Sequence, residues 1–266
     1  PERSVDLPTD AVALLGSDGP LVQDISMAIR RALEGIIYLG PQHYPVERDY
    51  AWDPDQEVKA GSDGTGAVRM LLVNPGLRLI VSAWLARFGL ADSLELRPSA
   101  RPSRYEVTIL RDGVTTNLVD AGAGMAQVLP LIVAACAAIP GATILMEGPE
   151  AHLHPLAQAV LAEMLVEISR AHQVQFIVET HSEHLFRRLQ TIVASGKSEH
   201  GQCRIHFVEL REGRAVIRDL ELDHFGRVRH WPEHFFGDAL GETRRQAEWM
   251  IRRQKRGRAG SGSLSD

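Results

Sequence analysis

The sequence predicts an α/β fold with a parallel central sheet flanked by helices, antiparallel β hairpins and a small C-terminal appendage. Helix-like and strand-like patterns alternate from about residue 124 to 210, and such alternation predicts parallel strands joined by right-handed crossovers. Asp112-Gly113 and Glu212-Gly213 each separate two strand-like runs, which indicates hairpins. A hydrophobic content of 44% with 24% charged residues is ordinary for a globular protein.

The predicted elements follow from periodicity and from turn residues. Residues 1–35 carry apolar side chains at helical spacing. Further helices are predicted at about 67–88 (interrupted at 74–76), 124–138, 155–171 and 182–194. Strands are predicted at about 36–39, 93–97, 105–110, 114–119, 142–147, 174–179, 203–210 and 214–220. The continuous apolar run at 142–147 is typical of a strand buried on both faces of a parallel sheet.

Composition narrows the class of protein. A net charge of −5 argues against general coating of nucleic acid. Cys136 and Cys203 are the only cysteines and lie far apart, so we expect reduced thiols in a cytoplasmic protein. The apolar stretch 128–146 is split by Pro140-Gly141, which favours helix, turn and strand over a membrane span. The sequence starts at Pro1 without a methionine, and we expect further sequence upstream.

One acidic strand end organises the rest of the chain. The strand predicted at 142–147 ends in Glu147, and Glu150 follows just past a proline turn. Open α/β sheets bind ligands at the carboxyl ends of their strands. A carboxylate there suits a hydrated Mg²⁺ that carries nucleotide phosphates, and Glu150 is placed to orient or deprotonate an attacking water. The alternative is an acid that only caps the next helix.

Two further loops suit phosphate. Asp120 to Gln127 places glycines directly before an apolar helix, where free N–H groups hold anions; the alternative is a tight turn capped by Asp120. The strand at 174–179 runs into His181, which is placed to sense a γ-phosphate, whereas a lone strand-end histidine is more often structural. Three such loops on neighbouring parallel strands are more specific than any one of them.

A rival hypothesis uses the histidines as zinc ligands. His152, His154, His181 and His184 would bind Zn²⁺, with Glu150 as the base. A His-x-His pair in a turn is not the helical HExxH arrangement. The order of apolar strand, acid, proline and helix therefore favours the phosphate site.

These segments resemble a known family. Residues 145–155, followed by Gln158, closely resemble the Walker B and D-loop segment of ABC-class ATPases of the OLD/SMC-like branch. Residues 179–184 look like their switch-histidine loop, and residues 120–127 look like their signature motif. Residues 36–41 are similar to a bacterial subgroup of AAA-type ATPases, and residues 222–226 and 231–236 resemble a C-terminal module of unknown function in that subgroup.

The resemblance implies a P-loop-type ATPase core that binds ATP and Mg²⁺ between two copies. Glu147 matches the acid that organises Mg²⁺ through water, and His181 matches the switch histidine. The signature residues Gly122, Gly124 and Gln127 would contact ATP held by the opposite subunit. His154 falls in the D-loop, which crosses the dimer interface in the family. A homodimer or higher even assembly is implied.

Three departures from the family pattern stand out. Gly148 occupies the usual position of a catalytic Glu or Gln, so hydrolysis needs another base, for which Glu150 is the nearest candidate; otherwise turnover is expected to be very slow. Ala126 replaces a signature Ser, which removes one hydroxyl contact worth about 1 kcal/mol. The Walker A loop is missing: Gly196-Lys-Ser198 follows a helix and has Thr191 where the first Gly is needed. We expect that loop upstream of Pro1 or on another chain; otherwise ATP is not bound in the usual way.

The domain prediction places the C-terminal portion of the ATPase domain at 1–222 and an appendage with a basic, Gly/Ser-rich tail at 223–266. The tail is either a nucleic-acid contact or, more commonly, a solvated helix end, and Trp231, Phe235 and Phe236 are predicted to close a small satellite core. By analogy, ATP hydrolysis would drive or license an effector such as a nuclease, in phage defence or genome maintenance. The alternative is a nucleotide-sensing scaffold without sustained turnover.

Overall fold

The computed structural model describes residues 14–43, 46–53, 61–230 and 245–251 of the 266-residue chain. The chain divides into two compact units, residues 1–198 and 199–266, each of which is considered by itself. The division falls earlier than the domain boundary predicted after residue 222, which stays a prediction.

In its described residues, the first unit contains all of the predicted helices and seven strands. Its helices are α1 (Gly19–Glu34), α2 (Ala67–Val73), α3 (Pro75–Arg87), α4 (Ala123–Ala137), α5 (Pro155–His172) and α6 (Glu183–Ala194). Its strands are β1 (Ile36–Leu39), β2 (Tyr50–Ala51), β3 (Ser93–Pro98), β4 (Arg104–Arg111), β5 (Val114–Asn117), β6 (Thr143–Glu147) and β7 (Gln175–Glu179). Periodicity and turn residues therefore located these elements correctly, apart from the short β2.

Three parallel strands form the sheet that carries the candidate site, in the order β1-β6-β7. Ile144 and Met146 of β6 are fully buried and belong to the core cluster that includes α4 and α5. On the opposite face, Leu145 of β6 is only half-buried, between Tyr38 of β1 at 43% exposure and Ile177 of β7 at 50%. The prediction that β6 is buried on both faces is therefore wrong. Alternate residues of a strand point to opposite faces, and the core covers only one of them here.

The most buried helix of the unit is α4. Nearly every residue from Met125 to Ala135 is inaccessible, and the helix packs against α2 and α3. Pro130 lies within it, in contact range of the 61–66 loop. Its apolar character on all sides explains why periodicity alone predicts burial without indicating a direction.

Caps fix where several helices begin. Asn74 accepts the Leu77 N–H at 3.0 Å and starts α3, with Pro75 at the first helical position. Ser182 accepts the Leu185 N–H at 2.9 Å and starts α6. Such caps satisfy N–H groups that have no partner within the helix.

An antiparallel sheet lies beside this core. Strand β4 pairs with β3 from Tyr105 to Leu110, with β2 at its beginning and with β5 at its end. The hairpin predicted at Asp112-Gly113 is confirmed, since both residues have positive φ in the turn between β4 and β5.

The second unit contains a hairpin of β8 (Ile205–Arg211) and β9 (Arg214–Leu220). We predicted from the alternation that β8 continues the parallel sheet, and this is wrong: in the part of the chain that the structure describes, β8 pairs only with β9. Burial alternates along β8, with Phe207 and Glu209 partly buried and Val208 and Leu210 exposed, as in a strand with one face on water.

Some predictions fall outside the described residues. They concern the aromatic residues Trp231, Phe235 and Phe236 and the basic tail apart from Arg245. Among the helices that are described, none is both long and apolar enough to cross a bilayer.

Candidate functional site

Two carboxylates end neighbouring strands of the parallel sheet. Glu147 closes β6 and Glu179 closes β7, and the two residues are partners in the strand register. The Tyr38 hydroxyl, on β1, donates a hydrogen bond to Glu147 Oε1 at 2.9 Å. That bond, together with the negative charge of Glu147, raises the pKa of Tyr38 because the protonated phenol is favoured. Oxygen atoms from three adjacent strands thus meet at one edge.

A tight turn follows β6. The Gly148 N–H donates to the Glu179 carbonyl at 2.9 Å and fastens the start of the turn to β7. The turn continues through Ala151 N–H to Gly148 O at 3.0 Å and Leu153 N–H to Glu150 O at 3.1 Å. The exposed His154 ends the turn by capping α5, its Nδ1 accepting the Leu156 N–H at 3.3 Å.

The loop after β7 is bonded to this turn. The His181 backbone N–H donates to Glu150 Oε1 at 2.8 Å. The Ser182 hydroxyl donates to Gln158 Oε1 at 2.6 Å, and Gln158 Nε2 donates to the Leu153 carbonyl at 2.9 Å. His181 itself is exposed, so its ring faces solvent beside the strand ends. The structure therefore brings the predicted residues Glu150 and His181 into direct contact.

The glycine motif before α4 abuts the same turn. A Cβ added to Gly124 would lie 3.0 Å from the His152 carbonyl oxygen, which is tighter than ordinary van der Waals contact. Gly122 precedes α4 as its N-cap residue and is exposed. Asp120 does not cap the helix, since its carboxylate pairs with both terminal nitrogens of Arg48. The start of α4 and the segment carrying Glu150 are therefore neighbours within one chain.

Gln127 points into the protein. Its side chain is only 6% exposed, and its Nε2 donates to the Pro41 carbonyl at 3.3 Å. The backbone carbonyl oxygen of Gln127 lies 2.8 Å from His43 Nδ1. Contact with a nucleotide on an opposite subunit would require this amide to leave Pro41, and the role of Gln127 there stays a prediction.

The donor atoms fit a hard cation. Mg²⁺ is usually held by one or two carboxylates while it keeps several waters, and Glu147 with Glu179 supplies such a pair at an open edge. The zinc alternative gains no support. Within the described ranges, no group of three or more His, Cys, Asp or Glu side chains is arranged to hold a metal ion.

Two residues of the site were missed from sequence. Tyr38 reaches Glu147 because β1 lies beside β6, and no sequence pattern specifies that neighbour. In the sequence, Gln158 appears only as part of the resemblance to the Walker B and D-loop segment, and that resemblance assigns no role to it. Its position four residues after the helix cap His154 places it one turn into α5, which is the only local signal that it faces the turn.

The α/β fold and a match to a family model identify an AAA-type ATPase domain. Residues 47–186, more than half of the chain, match the AAA ATPase domain family, and the chain belongs to that family. Residues 199–246 match a family described as a protein of unknown function (DUF3696), which begins where the second compact unit begins. The predicted resemblance is confirmed at this level. No curated protein matches the chain.

Similar solved structures include SMC ATPases. One is an SMC ATPase structure whose description concerns ATP-driven dimerization and DNA-stimulated activation. It aligns with a TM-score of 0.44 and 16% identity, over 58% of this chain and 89% of the SMC chain. Smc head domains from Pyrococcus furiosus, bound to a C-terminal domain of ScpA, and from Pyrococcus yayanosii align with TM-scores of 0.43 and 0.41. Their identities are 16% and 17%, over 59% and 55% of this chain and 37% and 27% of theirs. The family assignment rests on the domain match.

Proposed function

We propose that this protein binds ATP with Mg²⁺ between two copies of itself and hydrolyses it slowly. The observation that carries the proposal is the convergence of Glu147, the turn containing Glu150 and the loop containing His181 at one edge of the parallel sheet. Bound Mg²⁺ would neutralise phosphate charge. Glu147 would hold the ion through water, and His181 would contact the terminal phosphate.

The exposed start of α4 supports pairing of two copies. Gly122 provides no side-chain cap for this fifteen-residue helix, and Ala123 at its first position is exposed, which suits an anion at that end. In the proposed homodimer, or higher even assembly, Gly122 and Gly124 would face the phosphates of a nucleotide held by the other copy. The exposed His154 would lie at the same interface.

A lysine-bearing phosphate loop has to be supplied in addition. Residues 1–266 contain no complete Gly-x4-Gly-Lys-Ser/Thr sequence. We propose that this loop comes from sequence outside these residues or from another chain, so the tests below use the protein in its full length.

The direct test is Glu147→Gln, which keeps the shape of the side chain but removes its charge. We expect a large loss of Mg²⁺-dependent phosphate release and a change in ATP-dependent dimerisation, measured by light scattering. Asp112→Asn, a carboxylate at the tip of the β4–β5 hairpin, is the control for a lost charge and should behave as wild type. If Glu147→Gln leaves both ATPase activity and dimerisation unchanged, Glu147 does not hold the metal.

A second candidate function is a nucleotide-sensing scaffold, and Gly148 favours it because the usual catalytic side chain is missing there. A scaffold would assemble on ATP without sustained phosphate release. Turnover measured with excess ATP, alongside dimerisation, separates the two functions.

The biological role is proposed by analogy alone. We propose a cytoplasmic protein whose nucleotide cycle licenses a partner effector, such as a nuclease, in phage defence or genome maintenance, and whose basic tail contacts nucleic acid. Co-purification of a nuclease with the native protein, lost in Glu147→Gln, is the result expected.

A further inference from the structure

The carboxylate of Glu150 has two oxygens in different surroundings. Oε1 accepts the His181 N–H at 2.8 Å. Oε2 is buried and accepts no hydrogen bond from the residues that the structure describes. The oxygen without a partner, Oε2, is closed to solvent and therefore poorly placed to meet a water, whereas a role in holding the loop after β7 needs only Oε1.

A second bond holds the same two segments together. Ser182 is buried, with 6% of its surface exposed. Its hydroxyl donates to Gln158, whose Nε2 donates to the Leu153 carbonyl. The segment from Glu150 to Gln158 therefore bonds to the loop at consecutive residues, His181 and Ser182. The loop cannot shift relative to the turn after β6 without breaking both connections.

We propose that Glu150 is a positioning residue that fixes the His181 loop through Oε1, and that it does not act as the proton acceptor. The inference rests on the proposed ATPase function for its kinetic consequence but not for its structural one. With Glu150 and Gln158 in place, the turn after β6 and the His181 loop move as one body. The ring of His181 then keeps a fixed position relative to Glu147.

The substitutions Glu150→Gln and Glu150→Ala separate the two roles. Glutamine keeps an oxygen that accepts the His181 N–H but cannot take a proton from water, whereas alanine removes both capacities. Loss of a hydrogen bond to a charged group corresponds to roughly a tenfold or greater effect, whereas loss of a general base costs about 100-fold or more.

We expect Glu150→Ala to lower turnover at least about tenfold and Glu150→Gln to recover most of it, with the pH–rate profile of the wild type. Equal losses of about 100-fold or more in both variants would overturn the inference and make Glu150 the base. Wild-type turnover in both variants would overturn it as well.

Hydrogen–deuterium exchange tests the structural part without ATP. Glu150→Ala should speed exchange of the His181 amide in a peptide spanning 179–183, and Glu150→Gln should not. Asp92 is the matched control. Its Oδ2 also accepts a backbone N–H, that of Asp112 at a distance of 2.9 Å, and this bond lies outside the candidate site. Asp92→Ala should speed exchange only at the β4–β5 hairpin.

The exchange result decides the inference even if the wild type hydrolyses no ATP. Unchanged exchange at His181 in Glu150→Ala would overturn the positioning role. Absence of ATP binding and turnover in the wild type would refute the proposed function but leave the exchange result standing.

Discussion

Replacing Gly64 by alanine tests how the loop at residues 61–66 is joined to α4. Gly64 is buried with φ at +74°, and a Cβ added there would lie 2.5 Å from Pro130 Cβ and 2.8 Å from Pro130 Cγ. Gly89 offers a matched control. Its φ is +68°, and nothing lies within 4 Å of an added Cβ.

The two positions share one cost and differ in the other. A side chain at positive φ costs about 1–2 kcal/mol, and this applies to both variants. Carbon atoms ordinarily approach no closer than about 3.5 Å, so only Gly64→Ala must displace a rigid ring by about an ångström. Overpacking of that kind costs about 1–3 kcal/mol. We therefore expect Gly64→Ala to lose about 2–5 kcal/mol in all.

Thermal unfolding followed by circular dichroism gives the comparison. Both residues lie in the first unit, so the same transition reports on both variants. The extra 1–3 kcal/mol corresponds to a Tm roughly 2–12 °C lower in Gly64→Ala than in Gly89→Ala. Equal Tm values in the two variants would show that the loop yields at no cost, and the contact with Pro130 would then not join it to α4.

Three further predictions concern buried or paired side chains. Burial lowers the pKa of His43. As the pH falls, the unfolded chain therefore binds a proton before the folded one does, and the free energy of unfolding should decrease below about pH 6.5. His43→Asn, which keeps a donor to the Gln127 backbone carbonyl, should flatten this pH dependence in denaturation curves at pH 5.5 and 7.5. Burial also raises the pKa of the Cys136 thiol to about 12. Iodoacetamide at pH 8 should therefore label Cys136 only after unfolding, as detected by peptide mass mapping. Labelling in the native state would refute this. Arg87 donates through both terminal nitrogens to Glu167, and its guanidinium carbon lies 4.0 Å from the centre of the Trp84 ring. Arg87→Lys should lower the free energy of unfolding in urea by about 0.5–1 kcal/mol. An unchanged free energy would mean that these contacts contribute nothing to stability.

Local pattern was sufficient for most elements but not for their neighbours. The run 142–147 and its flanking turn residues predicted β6 correctly, because a strand leaves its apolar pattern in consecutive residues. The same reasoning placed β8 in the parallel sheet, which is wrong. Strand order depends on pairing between distant segments, and the local pattern of β8 distinguishes a strand without naming its partner.

The candidate site shows the same division. Glu147, Glu150 and His181 were predicted as site residues because each lies at or just after the end of a strand, where the carboxyl ends of parallel strands carry ligands. Their contacts were not predictable in the same way. The bond from the His181 N–H to Glu150, and that from Tyr38 to Glu147, depend on which strands are adjacent and on the register between them.

The sequence by itself determined the type and order of most elements, the residues at the strand ends and the ATPase family, since these depend on short local patterns and motifs. Only the tertiary structure decided that Glu150 contacts the His181 backbone, that Gln127 is buried and that Gly124 packs against His152. Each of those facts depends on hydrogen bonding or packing between residues far apart in the chain, by 31 positions for Glu150 and His181 and by 86 for Gln127 and Pro41. Such contacts follow from how the whole core packs, and no short stretch of sequence encodes them.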